Sequence, residues 1–505
     1  MIRFSTLILF SLLMTSTVFA QGVAPQEILV RFKTNVSDWE INDFINSVNG
    51  EVLGATPITQ IYRIKVPTGV FDNGNNNGVF DPTNNNFSHT AVDDLSLNPY
   101  IHQYASAPAS VNVNPYDYHP LAMISSYPYG LDFQMGTRKV KVAILDSGVD
   151  PSHEVFDDYL SVLWGSDDDN TSSDFFSSNG QQSDTWFDHL GHGTNVAGIV
   201  AATFYANNSS ALDLRSYKVV NDAGVGTLFA LLEGIEVAIK DGAEIINISL
   251  GYLPDAAHFT TEMLESVLNL SATFNVLFIC SAGNSNLDID QSPYYPASLQ
   301  PNGNHLIIGA TNESGEIASW SNFGNSNVTF LAPGENILYP ALHNSWSYGS
   351  GTSYATPIVS ALAASLSSQH QGWNLSKLMC QLTQMTSAEN STTPHAQFGI
   401  VDTDQPTNCE NVFKSLSAHE SGAGNLSVYP NPTTGHLTIK ANQNMDDGII
   451  SVFDFAGKHI VTISCSGKES NSLNIDLGRY VKEKGVYNIR FVSDNFAQTK
   501  KVIFR

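Results

Sequence analysis

The stretch Gly349-Ser350-Gly351-Thr352-Ser353-Tyr354-Ala355-Thr356-Pro357 runs from a glycine-rich loop into an apolar helical run, Ile358 to Ser368. Ser353 stands at that junction. A hydroxyl there meets the free N–H groups of a helix start, which favour negative charge as it develops. Taken alone, such a serine reads as a helix N-cap, and Pro357 is compatible because proline is tolerated in a first turn. Its meaning depends on what else the chain carries.

Two other glycine-flanked blocks change the reading. In Ile144-Leu145-Asp146-Ser147-Gly148-Val149-Asp150, Asp146 directly follows the apolar run Val140 to Leu145. Strand C-terminal ends line the ligand crevice of a parallel sheet, although a turn-forming Asp would look the same. In His189-Leu190-Gly191-His192-Gly193-Thr194-Asn195-Val196-Ala197-Gly198, His192 begins a helical run through Ala202. His189 lies three residues earlier, but no third residue nearby completes a metal set. Strand-length apolar runs recur at Val140 to Leu145, Leu212 to Val220, Ile245 to Leu250, Val276 to Cys280 and His305 to Ala310. Helical patterns such as Thr227 to Lys240 and Phe259 to Asn275 lie between them. That alternation predicts an α/β fold, a central mostly parallel sheet with helices on both faces.

Asp146, His192 and Ser353 occur in the chain order known for subtilisin. With them come Ser249-Leu250-Gly251, Ser281-Ala282-Gly283-Asn284, Gly309-Ala310-Thr311, Ser319-Trp320-Ser321-Asn322-Phe323-Gly324 and Ala332-Pro333-Gly334. Over roughly residues 120–405 the chain resembles the subtilase family of serine proteases. The resemblance implies a serine endopeptidase that works through an acyl-enzyme. Ser353 would be nucleophile, His192 the base and then acid, and Asp146 the group that orients the imidazole. Asn284 would share an oxyanion hole with the Ser353 N–H. Ser249, Leu250, Gly251 and Gly226 would flank an extended peptide substrate. The reaction would need no cofactor. Two positions depart from the family pattern: Asn195 stands where His is common, and Tyr354 stands where Met commonly follows the nucleophile.

The flanks read differently from the middle. Glu27 to Lys33 alternates as a strand, and Ser37-Asp38-Trp39-Glu40 is a capping-box pattern opening a helix that Gly50 closes. Ile58 to Val66 reads as a second strand, Val92 to Leu97 as a short helix and Ile101 to Tyr104 as an edge strand. Residues 21–108 thus form a small α+β unit that resembles a subtilase pro-segment, with Leu97-Asn98-Pro99 and Ile101-His102-Gln103-Tyr104-Ala105 like its closing strand. A pro-segment would be an intramolecular inhibitor, making the chain a zymogen cut between about 105 and 120. The catalytic domain would span 109–409 and a Ser/Gly/Ala-rich linker 410–423. Residues 424–505 show short alternating strands, expected as a small β-sandwich. Their charge is net +3, against −28 for the rest of the chain, which supports a boundary. Leu426-Ser427-Val428-Tyr429-Pro430-Asn431-Pro432-Thr433-Thr434-Gly435 and the basic C-terminal strand resemble the sorting domain of type IX secretion in Bacteroidetes, implying that machinery as a partner.

Composition bounds the rest. The chain has 505 residues, too long for a single core, and a net charge of −25. No basic stripe is present, which argues against nucleic acid. Arg3, the apolar run Leu7 to Met14 and Val18-Phe19-Ala20 read as a signal peptide, residues 1–20, giving a secreted or cell-surface protein exported via the periplasm. That run is too short to span a bilayer, and no later segment would leave a transmembrane span. In Asp72-Asn73-Gly74-Asn75-Asn76-Asn77-Gly78-Val79-Phe80-Asp81, oxygen ligands for calcium, as a structural ion, would come from Asn73, Asn75, Asn77 and Asp81; an Asn/Gly turn fits the same residues. The acidic insert Asp167-Asp168-Asp169-Asn170 reads first as a solvated loop. Cys280, in an apolar run, is expected as a buried free thiol, while Cys380 and Cys409 could pair in an oxidising compartment.

Overall fold

The computed structural model describes residues 23–33, 36–67, 91–102, 110–111, 120, 123, 135–165, 186–253, 261–299, 304–370, 374–387, 395–402, 427–441, 449–454, 459–465, 471–481, 485–493 and 496–505. The signal peptide, the Asn73/Asn75/Asn77/Asp81 loop, the 167–170 insert, the linker, Tyr104 and Cys409 lie outside these residues.

The N-terminal unit comprises β1 (Val23–Phe32), α1 (Asp38–Ser47), β2 (Glu51–Ala55), β3 (Ile61–Lys65) and β4 (Val92–His102). Ser37 caps α1 as expected: its hydroxyl accepts from Glu40 N, and the Glu40 carboxylate accepts from Ser37 N. One face of the antiparallel sheet packs Ile28, Val30 and Ile64 against Phe44 of α1 and its C-cap residue Val48. The stretch Val92 to Leu97 is strand, not the helix its sequence suggested. It pairs with β1, Leu95 opposite Val30 and Val92 opposite Phe32. The period of two was hidden because the alternating positions Asp94, Ser96 and Asn98 are polar yet buried.

The middle unit contains β5 (Ser110–Val111), β6 (Val140–Asp146), β7 (Leu160–Gly165), α2 (His192–Ala206), β8 (Leu212–Lys218), β9 (Val225–Thr227), α3 (Leu228–Lys240), β10 (Ile245–Ile248), α4 (Glu262–Leu268), α5 (Leu270–Phe274), β11 (Leu277–Ser281), β12 (His305–Thr311), β13 (Phe330–Pro333), β14 (Ile337–Ala341), β15 (Ser345–Gly349), α6 (Thr352–Gln369), α7 (Leu375–Gln384), β16 (Thr386–Ser387) and β17 (Ile400–Val401). Its main sheet runs β16-β17-β13-β12-β11-β10-β6-β8-β7, and every pairing is parallel except β16 with β17. The central strands β6, β10, β11 and β12 are mostly apolar because both faces are covered. One face packs α2 and α6 with Val142, Ile144 and Ile279; the other packs α3 and α4 with Ala143, Leu145 and Phe278. Helix α6 starts six residues earlier than its apolar run implied, so Ser353 lies inside its first turn and Pro357 lies within the helix.

The C-terminal unit is the expected β-sandwich. β18 (Ser427–Tyr429), β19 (His436–Lys440) and β22 (Ser472–Asp476) form one sheet; β20 (Ile449–Asp454), β21 (His459–Ser464), β23 (Gly485–Ser493) and β24 (Phe496–Phe504) form the other. Leu437, Ile439, Ile450, Val452, Ile489 and Phe491 share the core between them. Among the described residues no helix is long and apolar enough to cross a membrane.

Candidate active site

Asp146 is the last residue of β6 and His192 the first of α2, so the sheet and one helix deliver them to the same crevice. His192 Nδ1 lies 2.9 and 3.0 Å from the two Asp146 carboxylate oxygens, and both side chains are buried. Glycine makes the approach feasible at two points. A Cβ on Gly193 would sit 2.2 Å from the Gly148 carbonyl oxygen, and one on Gly148, at φ +100°, would sit 2.2 Å from the Trp186 carbonyl oxygen. The other ring nitrogen, His192 Nε2, is buried and has no hydrogen-bond partner among the described residues. Ring contact comes from Tyr354, whose centroid is 5.8 Å away and which stacks on Tyr339 at 4.7 Å. Tyr354, one of the two departures from the family pattern, is thus a buried brace for the imidazole. The other, Asn195, is also buried, within the first turn of α2.

Ser353 lies in the buried first turn of α6 and, at 7 % exposed, is its most accessible residue. Its hydroxyl donates to the Ser249 carbonyl oxygen at 3.1 Å, and its own carbonyl accepts from the Ser249 hydroxyl at 3.0 Å. Proline explains the second bond. The N–H that would cap the Ser353 carbonyl in a helix belongs to residue 357, and proline has none. Ser249 supplies the missing donor and is held by Asn247 Nδ2 at 3.0 Å. The chain thereby fixes the turn carrying Ser353 to the end of β10.

Asn284 follows β11. Its Oδ1 accepts from Thr352 N at 2.9 Å and Thr352 Oγ1 at 2.8 Å, which fixes the orientation of the amide. Its Nδ2 is left to point at the space above Gly351. A Cβ placed on Gly351 would lie 3.4 Å from Asn284 Nδ2 and 3.7 Å from Ser353 N. Two N–H donors therefore converge on one small volume beside Ser353. This arrangement can hold an oxygen that gains negative charge.

Of the residues expected to flank a peptide, Gly226 lies in β9 and pairs antiparallel with β4: Tyr100 opposite Thr227, Ile101 opposite Gly226, His102 opposite Val225. Ser249, Leu250 and Gly251 continue β10 and are buried. A Cβ on Gly251 would lie 2.5 Å from the Tyr294 ring, so the backbone here passes directly over an aromatic side chain. Among the described residues no group of three His, Cys, Asp or Glu side chains gathers as a metal site. Cys280 is a free buried thiol, 2.9 Å from His305 Nε2. Burial pushes the thiol well up and pulls His305 down to about 4, so the pair is neutral and unreactive. Cys380 is disulfide-bonded, and Cys465 is buried and not part of a disulfide.

Sequence reasoning missed two carboxylates beside these groups. Asp188 is wholly buried next to the His192 helix start, and Glu236 of α3 is wholly buried against the N-terminal unit. Glu236 lies four residues after Leu232 and three before Ile239, on the inner face of α3, and that position was the readable signal. Asp188 offered none, because its partners are mostly backbone amides.

Residues 137–403 match the Subtilase family, and residues 427–505 match the Secretion system C-terminal sorting domain. The chain belongs to the subtilase family. A thermophilic serine proteinase of Bacillus sp. (strain AK1) is 31 % identical to this subtilase over 350 residues, 68 % of this chain and 78 % of that protein. Subtilisin E of Bacillus subtilis (strain 168) is 31 % identical over 242 residues, 46 % of this chain and 57 % of its own length. Among solved structures, the epidermin leader peptide processing serine protease of Staphylococcus aureus superposes with a TM-score of 0.58 at 19 % identity. It covers 75 % of this chain and 98 % of that one, a likeness of fold. The subtilase is a serine protease of the subtilisin type, and its C-terminal sorting domain marks it for the cell surface or the medium.

Proposed function

We propose that this subtilase is an endopeptidase in which Ser353 attacks the scissile carbonyl, His192 moves the proton and Asp146 orients the imidazole. One observation carries the reading. The Asp146–His192 pair leaves a buried, unpartnered Nε2, while Ser353 sits nearby on a helix start with two unspent N–H donors. With Nδ1–H donating to Asp146, Nε2 is the free base and takes the Ser353 proton as the bond to carbon forms. The carbonyl oxygen becomes an oxyanion held by Asn284 Nδ2 and Ser353 N. Collapse expels the amine, which takes its proton from His192, and leaves an acyl-enzyme. Water, activated by the same imidazole, releases the acid and restores Ser353. Side chains and backbone alone carry these steps. Calcium at Asn73, Asn75, Asn77 and Asp81 would be structural, and chelation would change stability rather than the reaction.

Substrate would add as a strand along the β9 edge that β4 now holds. The pairing of Tyr100, Ile101 and His102 with that edge supports reading residues 21–108 as an intramolecular inhibitor of the 109–409 domain. Removal of the 424–505 domain at the 410–423 linker would accompany export through type IX machinery. Replacing Ser353 with Ala tests the chemistry: hydrolysis of a denatured protein substrate should fall by several orders of magnitude with folding intact. Activity within about ten-fold of the parent would refute the assignment.

A further inference from the structure

We infer that Asp188 is a positioning residue for His192, a second buried carboxylate behind the Asp146–His192 pair. The inference rests on the reading of His192 as the base. Asp188 Oδ1 accepts from the Ser147 hydroxyl at 2.9 Å, Leu190 N at 3.0 Å and Gly191 N at 2.7 Å. Its Oδ2 accepts from Thr194 N at 2.8 Å and Thr194 Oγ1 at 2.7 Å. Ser147 Oγ in turn accepts from Gly193 N at 2.9 Å, and Ser147 N donates to Asp146 Oδ1 at 2.7 Å. Thr194 Oγ1 accepts from Asp150 N at 2.9 Å. The amides of residues 190, 191, 193 and 194, on both sides of His192, are therefore all tied to this one carboxylate or to the hydroxyl it holds. The same contacts bind the α2 start to the turn that follows Asp146.

Five donors aimed at two oxygens leave no acceptor for a carboxylic proton, so the group is ionised where it does this work. Burial raises the Asp188 carboxyl, the donors from Thr194 and Gly191 oppose that, and the Asp146 charge adds to the rise. The other titratable and charged groups around it do not neutralise it. Asp150 on the 146–150 turn accepts from Ser152 N and His343 N. Lys218, at the end of β8, spends its ammonium on the Phe187 carbonyl and Asp222. His189 packs on Phe187. No cation pairs with Asp188 among the described residues. Its negative charge therefore adds to that of Asp146 at the moment His192 becomes an imidazolium. Asp188 would act twice, by fixing where the ring sits and by favouring its charged form.

The experiment uses the full-length chain, with the parent enzyme supplied in trans to complete processing where a variant is slow. For Asp188→Asn, kcat on a peptide p-nitroanilide should fall about 10²-fold with KM within about two-fold, because misplacing the base costs rate and not binding. The acid limb of kcat/KM should move down by about half a pH unit or more, since one anion near the imidazole is gone. A purely structural role would lower the melting temperature and leave both the limb and the kcat of folded enzyme unchanged; that result overturns the inference. Should Asp188→Asn fail to fold, Ser147→Ala decides. It keeps the Asp188 charge and four of its five bonds, so kcat should fall about ten-fold with the acid limb fixed; parent kcat overturns the inference. In either case Ser353→Ala is inactive if the underlying mechanism stands, which separates failure of this inference from failure of that reading.

Discussion

Pro357 does more to Ser353 than its place in the first turns of a helix suggests. By lacking an N–H it releases the Ser353 carbonyl, and the Ser249 hydroxyl takes that acceptor at 3.0 Å. Ser249 also returns its own carbonyl to the Ser353 hydroxyl. The proposed nucleophile is thus tied at two atoms to a residue 104 positions away in the chain. Ser249→Ala would leave a buried carbonyl unsatisfied and should destabilise the protein by about 1–3 kcal/mol, measured by urea unfolding. A loss under about 0.3 kcal/mol would mean that another donor replaces it. None of this was legible from Ser249-Leu250-Gly251, which sequence reasoning took only as a peptide-flanking edge. Asp146, His192, Asn284 and Ser353 drew attention as candidates because each sits in a glycine-flanked block. Their supports, Ser147, Asp188 and Thr194, did not, since side chain to backbone bonds leave no periodic trace.

At the scale of elements, α3 is the meeting point of the first two units. Asn98 Oδ1 on β4 accepts from Phe229 N at 3.0 Å, satisfying an unpaired amide of the first turn of α3. Arg63 of β3 lies 5.1 Å above the Phe229 ring. About two turns further on, the Glu236 carboxylate accepts from the backbone N–H groups of Ile58 and Thr59 and from the Thr59 hydroxyl. Burial pushes its carboxyl up, and the Thr59 and Ile58 donors oppose that. The bonds are charge-assisted, each contributing about 1.5–3 kcal/mol. Glu236→Gln would turn an acceptor into an N–H donor facing other donors. In a Ser353→Ala background, hydrogen exchange at the Ile58 and Thr59 amides should speed up by about ten-fold or more; parent-like protection would contradict the contact. Most elements were legible from period alone, including α1 with its capping box and the inner strands of the main sheet. The error at Val92 to Leu97 has the same cause as the interface itself. Strand β4 turns Asp94, Ser96 and Asn98 inward, and buried polar residues erase the alternation that marks a strand.

At the scale of the molecule, three units divide the work. The α/β domain builds the crevice, the N-terminal sheet lends β4 to the edge where a peptide would lie, and the sandwich carries the sorting signal. The C-terminal unit stood out in the sequence because its charge, net +3, departs from the acidic remainder of the chain. The joining of β4 to β9 in one sheet did not, because it pairs residues more than 120 positions apart without any sequence complementarity. Mapping the adduct of a serine-reactive fluorophosphonate on the processed enzyme tests the central claim most directly. The account predicts one phosphonyl group, on Ser353, formed in the parent and lost in His192→Ala. Stoichiometric labelling at any other residue, or hydrolysis that persists after Ser353 is fully modified, would contradict it.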